Sequence, residues 1–134
     1  MCSSDLKGYV ANLRQAFDEY LDESAKGYVF RREPQFAEAV ARVRAAGGIA
    51  SLAHPVRVKG DVPALMPELC ASGLNAIEAY HSDHTPEDTE LYLELARRYG
   101  LHVTGGSDYH GAIKPNVRLG SLHVPDDLVD RLRA

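Results

Sequence analysis

Between Lys7 and about Asp22 the apolar residues Val10, Leu13, Phe17, Tyr20 and Leu21 recur at helical spacing, which predicts a first helix. A polar link, DESAKG, leads into YVFRRE, which reads as extended. Pro34 then suits the first turn of a second helix, with Phe36, Val40 and Val43 along one face. The AGG that follows closes it, since Gly47 or Gly48 is free to take a left-handed cap.

Beyond that cap the pattern alternates. IASLAH (49–54) is a short, nearly all-apolar run, as expected of a strand covered on both faces. Residues 63–72 read as a helix stopped by Gly73, and LNAIEAYH (74–81) as a second strand. Thr85, Pro86 and Asp88 supply a hydroxyl cap, a proline in the first turn and an early acid, so a helix starts there. Leu91, Leu95 and Tyr99 mark its face, and Gly100 ends it. LHVTG (101–105) is a third strand, and LGSLHV (119–124) is a candidate fourth before a short terminal helix. Strand and helix in alternation predict an α/β fold of parallel β/α units. Pattern alone leaves an open sheet and a barrel segment equally available.

Composition changes this picture little. The length of 134 residues suits one modest domain, and 45% hydrophobic with 25% charged residues is ordinary for a soluble globular chain. A net charge of −4 argues against broad binding to nucleic acid or an anionic membrane, while leaving room for a small basic pocket. No apolar run approaches the roughly 20 residues of a membrane helix, and no signal peptide is visible, so a cytoplasmic protein is expected. Cys2 and Cys70 make neither a disulfide framework nor a zinc spacing; Cys70, in a helical stretch, reads as a small buried hydrophobe. The opening MCSSDL reads as the translation of a sequencing-adapter string. Residues 1–6 are therefore expected to be non-native, and the gene to begin upstream.

The chemistry gathers at the predicted strand ends: His54, then His81, then Asp108 with His110 inside GGSDYHG. In parallel β/α folds the carboxyl ends of the strands share one rim, where sites form. Side chains two apart on an extended segment point the same way, so Asp108 and His110 are expected to converge. Carboxylate plus imidazole suits a divalent zinc, manganese or iron ion. Glycines 105, 106 and 111 would let backbone and substrate come close to it. His81 admits three readings: ligand, phosphate contact or capped strand end. His84 reads as a loop residue, His102 and His123 as structural, and Glu78 as facing either the site or solvent. Arg57, with Lys59 beyond it, places a guanidinium fork near His54, a match for phosphate oxygens.

GGIASLAHPVR, GLNAIEAYHSDHT and GLHVTGGSDYHG, in this order, resemble the later motifs of the PHP (polymerase and histidinol phosphatase) superfamily. The nearest branch is that of phosphoesterases acting on nucleoside 3′,5′-bisphosphates and short RNA 5′ ends. The resemblance implies a distorted (β/α)7 barrel whose rim holds up to three divalent ions (Mn, Zn, Fe or Mg). It implies His54, Asp108 and His110 as metal ligands and His81, like Arg57, as a phosphate contact. Residues 7–33 would be the end of a helical insertion and a linker, and 34–134 the C-terminal half of the barrel. The family's early H-x-H motif is absent, so the resemblance implies a truncated, inactive piece whose partner is the N-terminal half of its own barrel. The expected activity of the parent is metal-dependent hydrolysis of a small nucleotide's phosphate ester. Histidinol-phosphate phosphatase and polymerase-associated PHP domains share these signals, and a non-catalytic PHP-fold binding or regulatory module is the alternative of another class.

Overall fold

The computed structural model describes residues 8–30 and 32–133. Residues 1–6, expected to be non-native, lie outside the described residues. The chain divides into two compact units, Met1–Glu33 and Pro34–Ala134.

In the first unit the expected helix over 7–22 is much shorter. Its α-helical part, α1, is Leu13–Ala16, and a π-helical turn, Phe17–Leu21, continues it. The start is set by Asn12, whose side-chain oxygen accepts the Gln15 N–H at 2.9 Å, after Gly8 has turned the chain at φ 72°. The wide final turn closes through Asp22 N–H to the Phe17 carbonyl, 2.9 Å. Residues 28–30, expected to be extended, pair with no strand among the described residues.

The second unit opens with α2, Phe36–Ala45. It starts two residues after Pro34: Gln35 is the cap residue, extended at ψ 153°, and its carbonyl accepts the first helical bond from Ala39. Gly47 takes the left-handed cap at φ 78°. Of the predicted apolar face only Val40 is buried, while Phe36 and Val43 remain exposed.

Three parallel strands follow, β1 (Ser51–Leu52), β2 (Ala76–His81) and β3 (His102–Gly106), in the order β1-β2-β3. Helices α3 (Val62–Ala71) and α4 (Pro86–Tyr99) make the crossovers. The cap on α4 is a full capping box: Thr85 Oγ1 accepts the Asp88 N–H and the Asp88 carboxylate accepts the Thr85 N–H. One face of the sheet is apolar. Ile77 and Ala79 of β2 pack with Met66 of α3 and Tyr92 and Leu95 of α4. The buried face of α4 thus runs through Tyr92, Leu95 and Ala96, with Leu91 exposed beside it. Cys70 packs against this cluster, and burial pushes its thiol pKa up, as suits a small hydrophobe.

The opposite face is polar. Register pairs Glu78 with Thr104 and Ser51 with Ala76, so Ser51, Glu78 and Thr104 share it. The hydroxyls of Ser51 and Thr104 join in a 2.8 Å hydrogen bond across β2. The register then shifts between Glu78 and Tyr80, a bulge that brings Tyr80 opposite Gly105. A Cβ at Gly105 would lie 2.6 Å from that of Tyr80, so only glycine fits there. Gly105 therefore serves strand packing.

The candidate fourth strand over 119–124 does not form. Gly120 is left-handed at φ 72°, and both the N–H and the hydroxyl of Ser121 bond to the Arg118 carbonyl, closing a turn where a ladder would need extended backbone. The chain ends in α5, Asp127–Arg133.

Candidate functional site at the carboxyl ends of the strands

Among the described residues two non-glycines adopt a left-handed backbone, and they are His54 (φ 32°) and Asp108 (φ 53°). Such a conformation costs an L-residue about 1–2 kcal/mol, and it persists only where its surroundings over-determine it. At His54, just past β1, the backbone N–H donates to Glu78 Oε2 at 2.6 Å. A hydrogen bond to a charged group contributes about 1.5–3 kcal/mol, enough to offset the strain. Pro55, fully buried, then locks the tight 3-10 turn Pro55–Arg57 that carries the Arg57 guanidinium forward.

Asp108 and His110 converge, but not as alternate positions of a strand. β3 ends at Gly106, and the left-handed turn at Asp108 brings the two together. His110 Nδ1 donates to the Asp108 carbonyl at 2.7 Å and lies 3.4 Å from its Oδ1. In the neutral tautomer that this bond selects, Nε2 carries the lone pair.

The Asp108 carboxylate is the electrostatic centre. Lys114 Nζ bonds it directly, Arg57 Nη2 stands 3.7 Å from Oδ2, and His81 Nε2 stands 3.8 Å from the same oxygen. The Lys114 hydrogen bond holds the Asp108 pKa below the usual carboxylate range. Arg57 also bonds Asp83, which raises the guanidinium pKa and lowers that of the Asp83 carboxyl.

His81 is 2% exposed. Its Nδ1 accepts the Asp83 N–H at 3.0 Å, so the neutral ring carries its proton on Nε2, which has no hydrogen-bond partner among the described residues. Burial lowers its pKa, and the ring is a neutral donor aimed toward Asp108. His84 is more than a loop residue: its Nδ1 donates to the Ala79 carbonyl at 2.9 Å, and its ring lies against those of His81 and Tyr92. Beside it a cavity of about 360 Å³ opens toward Asn116 and Ser121.

His54, His81, Asp108 and His110 therefore lie at one end of the sheet, with the His54 and His81 rings 5.8 Å apart. Arg57, itself exposed, joins them through Asp108, and Lys59 is exposed as well. Glu78 faces the site. Asp83 and Lys114, which the sequence did not single out, are both central; Asp83 lies inside the GLNAIEAYHSDHT stretch, whereas no periodicity or motif marks Lys114.

The donor types suit a divalent cation, with the His110 Nε2 lone pair the clearest candidate. The described residues nevertheless contain no group of three His, Cys, Asp or Glu side chains arranged to hold one. Asp108 is meanwhile engaged by Lys114 and Arg57. By themselves, then, the described residues do not complete a metal shell. Nor is any helix among them long and apolar enough to cross a membrane.

No family model matches the chain. It is 52% identical over 65 residues to the phosphoribosyl 1,2-cyclic phosphate 1,2-diphosphodiesterase of Eggerthella lenta, a match covering 48% of this chain and 24% of that protein. Over 106 residues it is 32% identical to the 3′,5′-nucleoside bisphosphate phosphatase of Chromobacterium violaceum, covering 77% of this chain and 37% of that one. A solved structure from Bifidobacterium adolescentis, assigned as a metal-dependent phosphoesterase, superposes on 97% of the chain with a TM-score of 0.72 at 32% identity, using 46% of its own length. In sequence and in fold the chain is thus similar to parts of phosphoesterases, and it spans less than half the length of each of them.

Proposed function

We propose that the chain supplies part of the active site of a metal-dependent phosphoesterase. Its substrate is a small phosphorylated nucleotide, a nucleoside 3′,5′-bisphosphate or the 5′ end of a short RNA. The observation that carries this reading is the coincidence of strain and chemistry: the left-handed non-glycines His54 and Asp108 flank one rim, with Arg57, His81 and His110 beside them. Residues 34–134 form the later part of the barrel and 7–33 the end of a helical insertion. Because the relatives are at least twice as long, the active unit includes a segment equivalent to the rest of their length.

With the missing donors supplied by the rest of the active unit, His54, Asp108 and His110 would be the residues of this chain that hold one or more of Mn, Zn, Fe or Mg. Such an ion, when bound, would supply Lewis acidity and positive charge to match the phosphoryl oxygens. Arg57, steadied by Asp83, presents its guanidinium to two of those oxygens. His81 donates its Nε2 proton to a third as a neutral imidazole, since its Nδ1 is already an acceptor. That hydrogen bond strengthens as charge builds on the oxygen in the transition state.

A second reading has its own support. Asp108 already carries Lys114 and Arg57 as counter-charges, which suits a non-catalytic PHP-fold module. Phosphate release from adenosine 3′,5′-bisphosphate distinguishes the two. The chain alone is expected at background; joined to a segment equivalent to the remainder of the relatives, it should turn over with Mn²⁺ and lose activity to a chelator or to Asp108→Ala. Inactivity of the joined protein with all four metals would favour the non-catalytic module.

A further inference from the structure

We infer that Glu78 is a positioning residue, which holds the His54 backbone left-handed and so aims the His54 imidazole at the rim. The importance of the aim for function rests on His54 being a metal donor, as proposed; the positioning itself does not. β1 is only two residues long, so the ladder to β2 has ended before His54. The His54 N–H therefore needs another acceptor. It finds one in Glu78 Oε2, 2.6 Å away and 24 residues on in sequence. Glu78 stands at mid-strand on the polar face of β2, held beside Thr104 by the register with β3. The acceptor is thus fixed by the sheet and not by a loop. Past His54, Pro55 leaves the chain no freedom in its own φ, and the Arg57 N–H closes the turn on the His54 carbonyl at 2.9 Å. The peptide is held on both sides of His54, and the ring that results lies edge-on to His81 at 5.8 Å. Glutamate fits this position better than glutamine or a smaller acid would. A charged acceptor shortens the bond, and an aspartate would fall one methylene short.

Nuclear magnetic resonance on the isotope-labelled 134-residue chain tests this. In the wild type the His54 amide proton should lie far downfield, as a short bond to a carboxylate requires, and the rings of His54 and His81 should show mutual nuclear Overhauser contacts. Glu78→Ala should move the amide upfield, speed its exchange by roughly tenfold or more, and abolish the contact between the rings. Glu78→Gln keeps an acceptor, so the ring contact should survive with an intermediate amide shift. An amide and ring unmoved by Glu78→Ala would overturn the inference, and so would a Gln variant that behaves like the Ala variant. Should Glu78→Ala not fold, an unshifted His54 amide in Glu78→Gln overturns it equally. Mn²⁺ added to the wild type separates the two claims: absence of paramagnetic broadening at the His54 ring counts against His54 as a metal donor, while the ring contacts still report on Glu78.

Discussion

Residues 34–133 and residues 8–33 have similar apolar patterning but differ in how much of it is buried: within 8–33 the buried hydrophobics among the described residues are Val10 and Ala16. In the first stretch the patterned residues of β2, α3 and α4 go inside: Met66, Ile77 and Ala79 are fully buried where these elements pack together. In the second, Tyr9, Phe17, Leu21, Val29 and Phe30 are all at least half exposed. A helical or extended period selects a face, but a face is buried only where another element covers it. The sheet supplies that cover for α3 and α4. Within 8–33 the helix is a single α-turn extended by a π-turn, too short to order itself by backbone bonds alone. The rim belongs to the well-packed stretch, and its two strained residues depend on that packing.

The contrast can be broken most forcefully in the core. Ile77→Ala removes a fully buried side chain at the centre of the cluster and should cost about 2–5 kcal/mol, read from the urea midpoint at constant m-value. The same change at Val29, exposed, should stay within about 0.5 kcal/mol. Equal losses would mean that Val29 is packed as closely as Ile77.

Gly105→Ala comes next. Its Cβ would fall 2.6 Å from that of Tyr80 and 3.0 Å from the Tyr80 carbonyl oxygen, so the β2–β3 pair must part. Overpacking of this kind costs about 1–3 kcal/mol. Gly106→Ala, with nothing nearer than Glu78 at 4.0 Å, should be tolerated far better, which a thermal melt of the two variants would check.

A smaller effect is expected at the α4 cap. Thr85→Ala removes the acceptor for the Asp88 N–H, a loss of about 1 kcal/mol. The paired change has a pH signature. Hydrogen bonds from Thr85 depress the Asp88 pKa, so its contribution is fully present above the ordinary aspartate pKa and fades as pH falls through the depressed one. Asp88→Asn should therefore flatten the acid limb of stability measured by denaturant titration below about pH 4, and leave the neutral region nearly as steep. A flattening that appears near neutral pH instead would point to another group.

The least costly change in stability is at the exposed apolar run. Replacing Tyr28, Val29 and Phe30 by serine should barely alter the unfolding midpoint and should reduce self-association, measured by sedimentation velocity. Unchanged self-association would locate the sticky surface elsewhere, with Phe36 and Val43 on α2 the next exposed pair.

Local rules read well from the chain because they act over three or four residues. Thr85-Pro86-x-Asp88 specified the α4 cap, Gly100 its stop and the Gly47-Gly48 pair the end of α2, with Gly47 taking the left-handed cap, since cap bonds and left-handed φ values are settled within one turn. The three parallel strands were legible for a similar reason: short apolar runs between helical periods leave few other folds. The fourth strand was misread because LGSLHV carries apolar residues without a neighbour to pair with, and Gly120 turns the backbone. At the rim the sequence itself determined which residues are present, His54, Arg57, His81, Asp108 and His110, and the strand-end positions that bring them near one another. What each of them touches was decided only by tertiary structure. Glu78 reaches His54 over 24 residues, Asp83 reaches Arg57 over 26, and Lys114 claims the Asp108 carboxylate from beyond the turn. Hydrogen bonds and ion pairs act over a few ångströms in space, and a spacing of two dozen residues in the chain carries no trace of them until the sheet has set the register.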